Sequence, residues 1–358
     1  MKTFRSIISA VLAFALLICL TACAGTSAQT EAPADTAASA DTAAPAGDTA
    51  AQTQEPASEP AAEPYLIGIS QYGEHPSLDN CREGFLQGLA QAGLQEGVDF
   101  ELDYQNASFD DGIATQIAQQ FSSENADLMV AIATPAAVAC YAAAEDKDIP
   151  VIFTAITDPV QARLDSGNVT GTSDKLPIEA QLDLIRQLQP EAKTIGIIYT
   201  TSEPNSVSAI EEYQQKAPDY GFTLDVVGVT SQAEVTQAAD TLISHDVDCF
   251  CNLTDNNVVG VLAAILEKTD EAGIPIYGSE VEQVKLGCVA AAGIDYIQLG
   301  IQTGMMAAKV ITGQATCQDL PYETISEYGI YINSAALAAM DIDIPEAVAA
   351  RAVEANEA

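Results

Sequence analysis

The stretch at residues 127–144, DLMVAIATPAAVACYAAA, narrows most sharply what this chain can fold into. Residues 128–133 form an apolar run with the length of a strand buried on both faces. A Thr-Pro break then leads into a small-residue segment that predicts a helix. Thr134 suits the cap of that helix, and Pro135 its first position, where a missing N–H costs nothing. The free N–H groups of Ala136 and Ala137 would then stand at the carboxyl end of a parallel strand, where open α/β sheets bind ligands, and they suit an anion or carboxylate. A second unit, DVDCFCNLTDNNVVGVLAAIL at 246–266, repeats strand, polar tip and helix, with Thr254 and Asp255 at its tip. Two such units predict two similar lobes facing one another. Each tip taken singly also admits a plainer reading, a helix cap with no further role.

The same alternation runs along the rest of the body. Strand patterns at 65–70, 98–104, 149–153 and 168–172 flank helical faces carrying Leu78, Phe85 and Leu89, then Ile113, Ile117 and Phe121. After a helix with Leu182, Ile185 and Leu188 come strands at 194–199, 222–229, 274–277 and 288–291. Their tips include Ser202, Asn205 and Ser206, then Ser279 and Glu280, then Asp295, which caps a long helix through Ile311. Residues 322–332 alternate weakly, and the segment from Pro345 predicts a solvated terminal helix. The fold class is α/β, with two doubly wound parallel-sheet lobes and right-handed crossovers. An apolar fraction of 48% over 358 residues is enough to fill two cores.

The amino terminus follows a different logic. Lys2 and Arg5 precede an apolar run at 7–20 that is short for a membrane span and has signal-peptide proportions. It ends in Leu20-Thr21-Ala22-Cys23, which resembles the lipobox of bacterial lipoproteins. That resemblance implies removal of residues 1–22 and lipidation of Cys23. Residues 24–64 contain no Lys, Arg or aromatic residue and predict an acidic, disordered Ala/Thr/Pro tether. A formal charge of −38 argues against nucleic-acid partners and against a basic membrane-docking face.

Six body cysteines, Cys81, Cys140, Cys249, Cys251, Cys288 and Cys317, sit mostly in apolar segments and read as buried thiols. No metal site and no cofactor is predicted, because no histidine completes a zinc set and no phosphate loop or dinucleotide motif occurs. Catalytic motifs are lacking too, with His75 and Asp158 the one pair a catalytic reading would use. The chain is not expected to be an enzyme.

Seven separated strings, GISQYGEHPSLDNCREGF, ATPAA, FTAITDP, GNVTGTSD, TIGIIYTTSEPNS, TDNN and GIDYIQLGIQTGMMAAK, resemble the ABC-transporter substrate-binding proteins of the tryptophan/tyrosine type, in order over residues 65–345. The resemblance implies a type I periplasmic-binding-protein fold, two lobes joined by a crossing-strand hinge. It places residues 65–172 and about 293–320 in the first lobe, 173–292 and about 321–345 in the second, and 346–358 in a tail. It also implies a small-molecule solute, an aromatic amino acid first, with ABC permease subunits and, through them, an ATPase as partners of a monomeric receptor tethered by its lipid. Another amino acid, a sugar or a nucleoside remains open as the solute, as does a sensing role.

An amino acid needs donors for its carboxylate, an acceptor for its ammonium and apolar walls for its side chain. The tips offer Thr134, Ala136, Ala137 and Thr157 as donors, and Asp255, Glu280, Asp295 or Asp158 for the ammonium, with Asp255 preferred. Tyr72 offers a stacking face, Phe153 and Tyr199 read as core, and His75, Pro135, Ser202, Asn205, Ser206, Asn256 and Ser279 complete the candidate set.

Overall fold

A computed structural model describes residues 63–325 and 327–355. The leader at 1–22, Cys23 and the tether lie outside the described residues, apart from Glu63 and Pro64, as do residues 356–358 of the tail. The first half of the body alternates strand and helix as far as its fourth strand, and a fifth follows with no helix between: β1 (Tyr65–Gln71), α1 (Pro76–Gln91), β2 (Phe100–Asn106), α2 (Asp111–Glu124), β3 (Leu128–Ile132), α3 (Thr134–Ala144), β4 (Val151–Thr154) and β5 (Val169–Ser173). The second half continues with α4 (Ile178–Leu188), β6 (Thr194–Thr200), α5 (Pro204–Lys216), β7 (Thr223–Val229), α6 (Gln232–Ser244), β8 (Cys249–Cys251), α7 (Asn256–Val259), α8 (Leu262–Ala272), β9 (Ile276–Gly278), α9 (Val281–Leu286) and β10 (Ala290–Gly293). The chain closes with α10 (Tyr296–Ile311), β11 (Glu323–Thr324), β12 (Gly329–Ile332), α11 (Ser334–Ala339), α12 (Glu346–Ala349) and β13 (Ala352–Glu354).

Two sheets result. The first, in the order β11-β5-β4-β3-β1-β2, is parallel throughout. The second, β13-β12-β10-β9-β8-β6-β7, is parallel except where β12 runs antiparallel to β10. The apolar runs are buried on both faces, as parallel strands covered by helices must be: β3 (LMVAI) has no exposed residue. The chain passes between the sheets three times, after β5, after β10 and between β11 and β12, and these crossings form the hinge.

The helix that returns from the second sheet is held by backbone contact. Gly84 and Gly88 of α1 face Gly300 and Gly304 of α10, and a Cβ built on Gly84 would lie 2.2 Å from the Ile297 carbonyl oxygen. Only residues without a side chain let the two helices approach this closely.

Four local expectations are corrected. Thr134 does not cap α3: Ala133 holds the N-cap position with φ 79° and ψ 153°, a conformation that suits glycine, and the buried Thr134 hydroxyl has no partner. The single helix expected after the second tip is broken into α7 and α8 at Gly260, where a Cβ would meet Gln232 and Phe109. Residues 323–324 pair with β5 in the first sheet, so the last crossing comes after them and not near residue 321. In place of a solvated terminal helix, the chain makes one turn, α12, and then adds β13 to the edge of the second sheet, with Val348 and Ala355 buried. All six body cysteines are buried free thiols.

Candidate functional site

The tips that follow β1, β4, β5 and β8 meet around a tight cavity of about 10 Å³ between the two lobes. The first lobe contributes His75, Ser77, Leu78, Ala155, Asp174 and Tyr296. The second contributes Thr254, Asn256, Val259 and Gln283. The cavity has about the room one water needs, far below the ~300–1,000 Å³ usual for small-molecule sites, so a ligand enters only if the lobes part. The lobes are drawn together over it. Ser77 Oγ donates to Glu280 Oε1 at 3.0 Å, Asn80 Nδ2 to Glu282 Oε1 at 3.0 Å and Ser208 Oγ to Asp158 Oδ2 at 2.7 Å, while the Thr157 and Thr254 hydroxyls lie 3.3 Å apart.

Asp174 is the acidic group of the cavity. It directly follows β5 and is 2% exposed. The Thr157 hydroxyl donates to its Oδ1 at 3.0 Å and the Tyr296 hydroxyl to its Oδ2 at 2.6 Å. Burial raises its pKa, and the two hydroxyl bonds oppose the rise. Burial, then the Asp174 charge, keep Tyr296 protonated and therefore a donor. Among the described residues no Lys or Arg forms an ion pair with Asp174. A desolvated carboxylate in that state is costly until a cation reaches it.

His75 presents the opposite case, a buried base with nothing to hold. It is 8% exposed and neither ring nitrogen has a hydrogen-bond partner. Burial pushes its pKa down to about 4 against smaller upward pulls from the Asn256 side chain and the Asp79 charge, so the imidazole is neutral at pH 7. Its ring lies parallel to Phe109, within 6° and with centroids 6.4 Å apart, and Phe109 in turn meets Tyr72 edge-on at 6.0 Å. Phe109 reaches this place from a left-handed pair, Ser108 at φ 52° and Phe109 at φ 63°, an uncommon conformation for a bulky side chain.

The second-lobe wall is set by two buried acids that do not line the cavity. Glu203 accepts from Asn256 N and Nδ2 at 3.1 and 2.7 Å, from Asn205 Nδ2 at 3.0 Å and from Asn257 Nδ2 at 3.1 Å, which fixes Asn256 against the cavity. Asp255 accepts from Thr200 N at 2.5 Å, Thr200 Oγ1 at 2.8 Å, Ser206 Oγ at 2.7 Å and Val258 N at 3.0 Å. Burial first, then the neighbouring Asp255 charge, holds Glu203 well above the usual carboxylate range.

Of the sequence-predicted residues, His75 and Asn256 line this cavity, and Thr157 stands behind it through Asp174. The others lie elsewhere. The preferred ammonium partner, Asp255, is corrected: four donors of its own lobe occupy both its oxygens, leaving none to a ligand. Glu280 caps α9 and takes Ser77, while Asp295 is exposed, caps α10 and faces a groove at the hinge. Asp158 binds Ser208 and the Gln161 amide along a second hinge-side groove. Ala136 and Ala137 are buried in the first core, and Pro135 and the exposed Ser202 line an outer groove between α2, α3 and the β6 tip. Asn205 and Ser206 support Glu203 and Asp255, and Ser279 bonds the Asn252 carbonyl. Tyr72 gives its hydroxyl to Asp111 at 2.8 Å and lines the rim groove with Phe109. Phe153 is core, and Tyr199 packs on the second core.

Sequence reasoning passed over Asp174, Tyr296, Ser77, Gln283 and Phe109. Asp174 had a usable signal: it is a carboxylate immediately after a strand, as Asp255 nearly is. Phe109 had none, since its position depends on the loop geometry after β2.

Four comparisons bear on this arrangement. The family model for the ABC transporter substrate binding protein matches residues 66–356. The tyrosine-binding protein of Clostridioides difficile (strain R20291) is 40% identical over 282 residues, 77% of this chain and 81% of that protein. The structure of an ABC domain in complex with L-Trp from Streptococcus pneumoniae is 34% identical, with a TM-score of 0.78 over 81% of this chain and 99% of that one. The ligand-free, open structure of a substrate-binding protein with adhesive properties from Clostridium difficile is 35% identical over the same shares, with a TM-score of 0.61. At nearly equal identity, the present arrangement of lobes overlays better on the tryptophan complex than on the open form.

Proposed function

Because the chain belongs to the ABC transporter substrate-binding protein family, we propose that it is an extracytoplasmic receptor that closes on an aromatic amino acid and hands it to an ABC permease. The observation that carries this reading is Asp174, a buried carboxylate without a cation partner on the wall of the interlobe cavity. It suits the ligand's ammonium, with Thr157 and Tyr296 orienting its two oxygens. The names of the relatives, one tyrosine-binding and one holding L-Trp, support the class of side chain. The receptor carries out no chemistry on its ligand. Among the described residues no helix is long and apolar enough to cross a membrane. In this reading a lipid on Cys23, followed by the acidic tether, keeps the monomeric body near its permease.

Thermal unfolding against a panel of amino acids, sugars and nucleosides tests the class. A ligand at ~100 times its Kd stabilises the native state by ~2.7 kcal/mol. Tryptophan, tyrosine or phenylalanine is expected to shift the transition, and a shift by a sugar or nucleoside in their place refutes the class. Asp174→Asn tests the ammonium site. The amide keeps an acceptor for a neighbouring hydroxyl and removes a desolvated charge, so the ligand-free protein should unfold no earlier than wild type while binding is lost. Undiminished affinity in that variant would move the ammonium elsewhere.

A further inference from the structure

This inference rests on reading the cavity as an aromatic amino acid site, and it concerns how the ligand's ring is recognised. Among the polar side chains around the cavity, Asp174, Tyr296, Ser77, Asn256 and Gln283 each bond within the protein, and the Thr254 hydroxyl shares a bond with Thr157. His75 alone lacks a hydrogen bond, with the Asn256 side chain close enough to oppose the fall in its pKa. A neutral imidazole carries one N–H donor and one bare acceptor nitrogen. Leaving both unmet in a buried site costs free energy that a ligand atom can recover.

Sheet order tells which end of the ligand meets His75. Asp174 follows β5 and His75 follows β1, and the order β5-β4-β3-β1 brings the two to the cavity from strands three places apart. With the ammonium at Asp174, the far end of the ligand lies toward His75. The surroundings there are apolar and aromatic. Leu78 stands one helical turn along α1, Val259 faces it from the second lobe, and Phe109 lies parallel to the imidazole while reaching toward Gly260.

We infer that His75 hydrogen-bonds the polar atom carried on the ligand's ring, the hydroxyl of a phenol or the N–H of an indole, and thereby selects tyrosine or tryptophan against phenylalanine. A phenol can accept from the imidazole N–H or donate to its bare nitrogen. An indole N–H can donate to the bare nitrogen. A phenyl ring does neither and leaves His75 unpaired in a dry site, which is the most discriminating kind of mismatch.

Calorimetric titration of the purified protein with tyrosine, tryptophan and phenylalanine tests this directly. Phenylalanine should bind more weakly than the better of the other two by on the order of 10- to 100-fold. His75→Leu should bring tyrosine and tryptophan down to the level of phenylalanine, and His75→Gln, which keeps a donor and an acceptor, should retain part of the preference. Equal binding of all three by the wild type overturns the inference and leaves the aromatic reading standing, a result that needs no variant to fold. Equal loss of all three in His75→Leu also overturns it, since His75 would then meet the group every amino acid shares. If none of the three binds while another solute does, the aromatic reading fails first and this inference with it.

Discussion

Asp255 and Asp174 are the instructive pair at the scale of the residue. Both are buried carboxylates at strand ends, yet one is saturated by four donors and the other holds two hydroxyls and faces the cavity. Asp255 is therefore a structural group of the second lobe. Its removal in Asp255→Ala strips the Thr200 and Val258 amides and two hydroxyls of their acceptor, and orphaned buried donors of this kind cost ~1–3 kcal/mol each. Relief of the repulsion with Glu203 offsets part of that. Urea unfolding of Asp255→Ala should show a net loss of about 3 kcal/mol. A variant with wild-type stability that merely failed to bind ligand would restore Asp255 to the site.

At the scale of elements, the pairing of α1 with α10 decides which lobe the late part of the chain joins. The alternation of strands and helices is legible along the whole body because buried parallel strands must be continuous apolar runs and their covering helices amphipathic. No such pattern announces that Gly84 and Gly88 will meet Gly300 and Gly304, since the four glycines are spaced like ordinary surface positions of two distant helices. Gly84→Ala gains helix propensity worth about 1 kcal/mol, but its Cβ would lie 2.2 Å from the Ile297 carbonyl oxygen. The steric term wins, and the variant should be destabilised by about 2 kcal/mol in denaturant unfolding. Neutral or increased stability would mean that the two helices separate freely. The broken helix at Gly260 and the added strand β13 were illegible for a similar reason, as each is dictated by a neighbour remote in sequence.

The whole molecule carries its buried acids on both sides of the cleft, and this sets its response to pH. Burial, the largest cause, raises Glu280 to about 7 despite the bonds it accepts, and raises Glu203, Asp255 and Asp174 as well. Between about 4.5 and 7 the native state keeps a proton on Glu280 that the unfolded chain has released, so native stability falls as pH rises through that window. His75 acts in the other direction: lowered from 6.5 to about 4, it binds a proton only in the unfolded chain across that range, and its contribution is lost as pH falls. The two oppose each other below about 6.5, and above it the acids act alone. The ligand-free protein should therefore unfold at a lower temperature at pH 7.5 than at pH 6, and Glu280→Gln should narrow the gap. A transition temperature that climbs over that interval would contradict the assignment of these acids as desolvated groups.

What the sequence determined by itself was the periodic part: two α/β halves, strand tips as the place for a ligand, the absence of a catalytic or metal-binding motif, and a set of strings specific enough to point to the family. These follow from short-range pattern, because hydrophobic period and turn chemistry act over a few residues. Only the tertiary structure decided which tip residues face the cavity and which serve their own lobe. A carboxylate after a strand looks the same in sequence whether four donors converge on it, as on Asp255, or two, as on Asp174. The physical reason is that hydrogen-bond saturation depends on donors brought in from helices and loops tens of residues away, and that count exists only once the chain has folded.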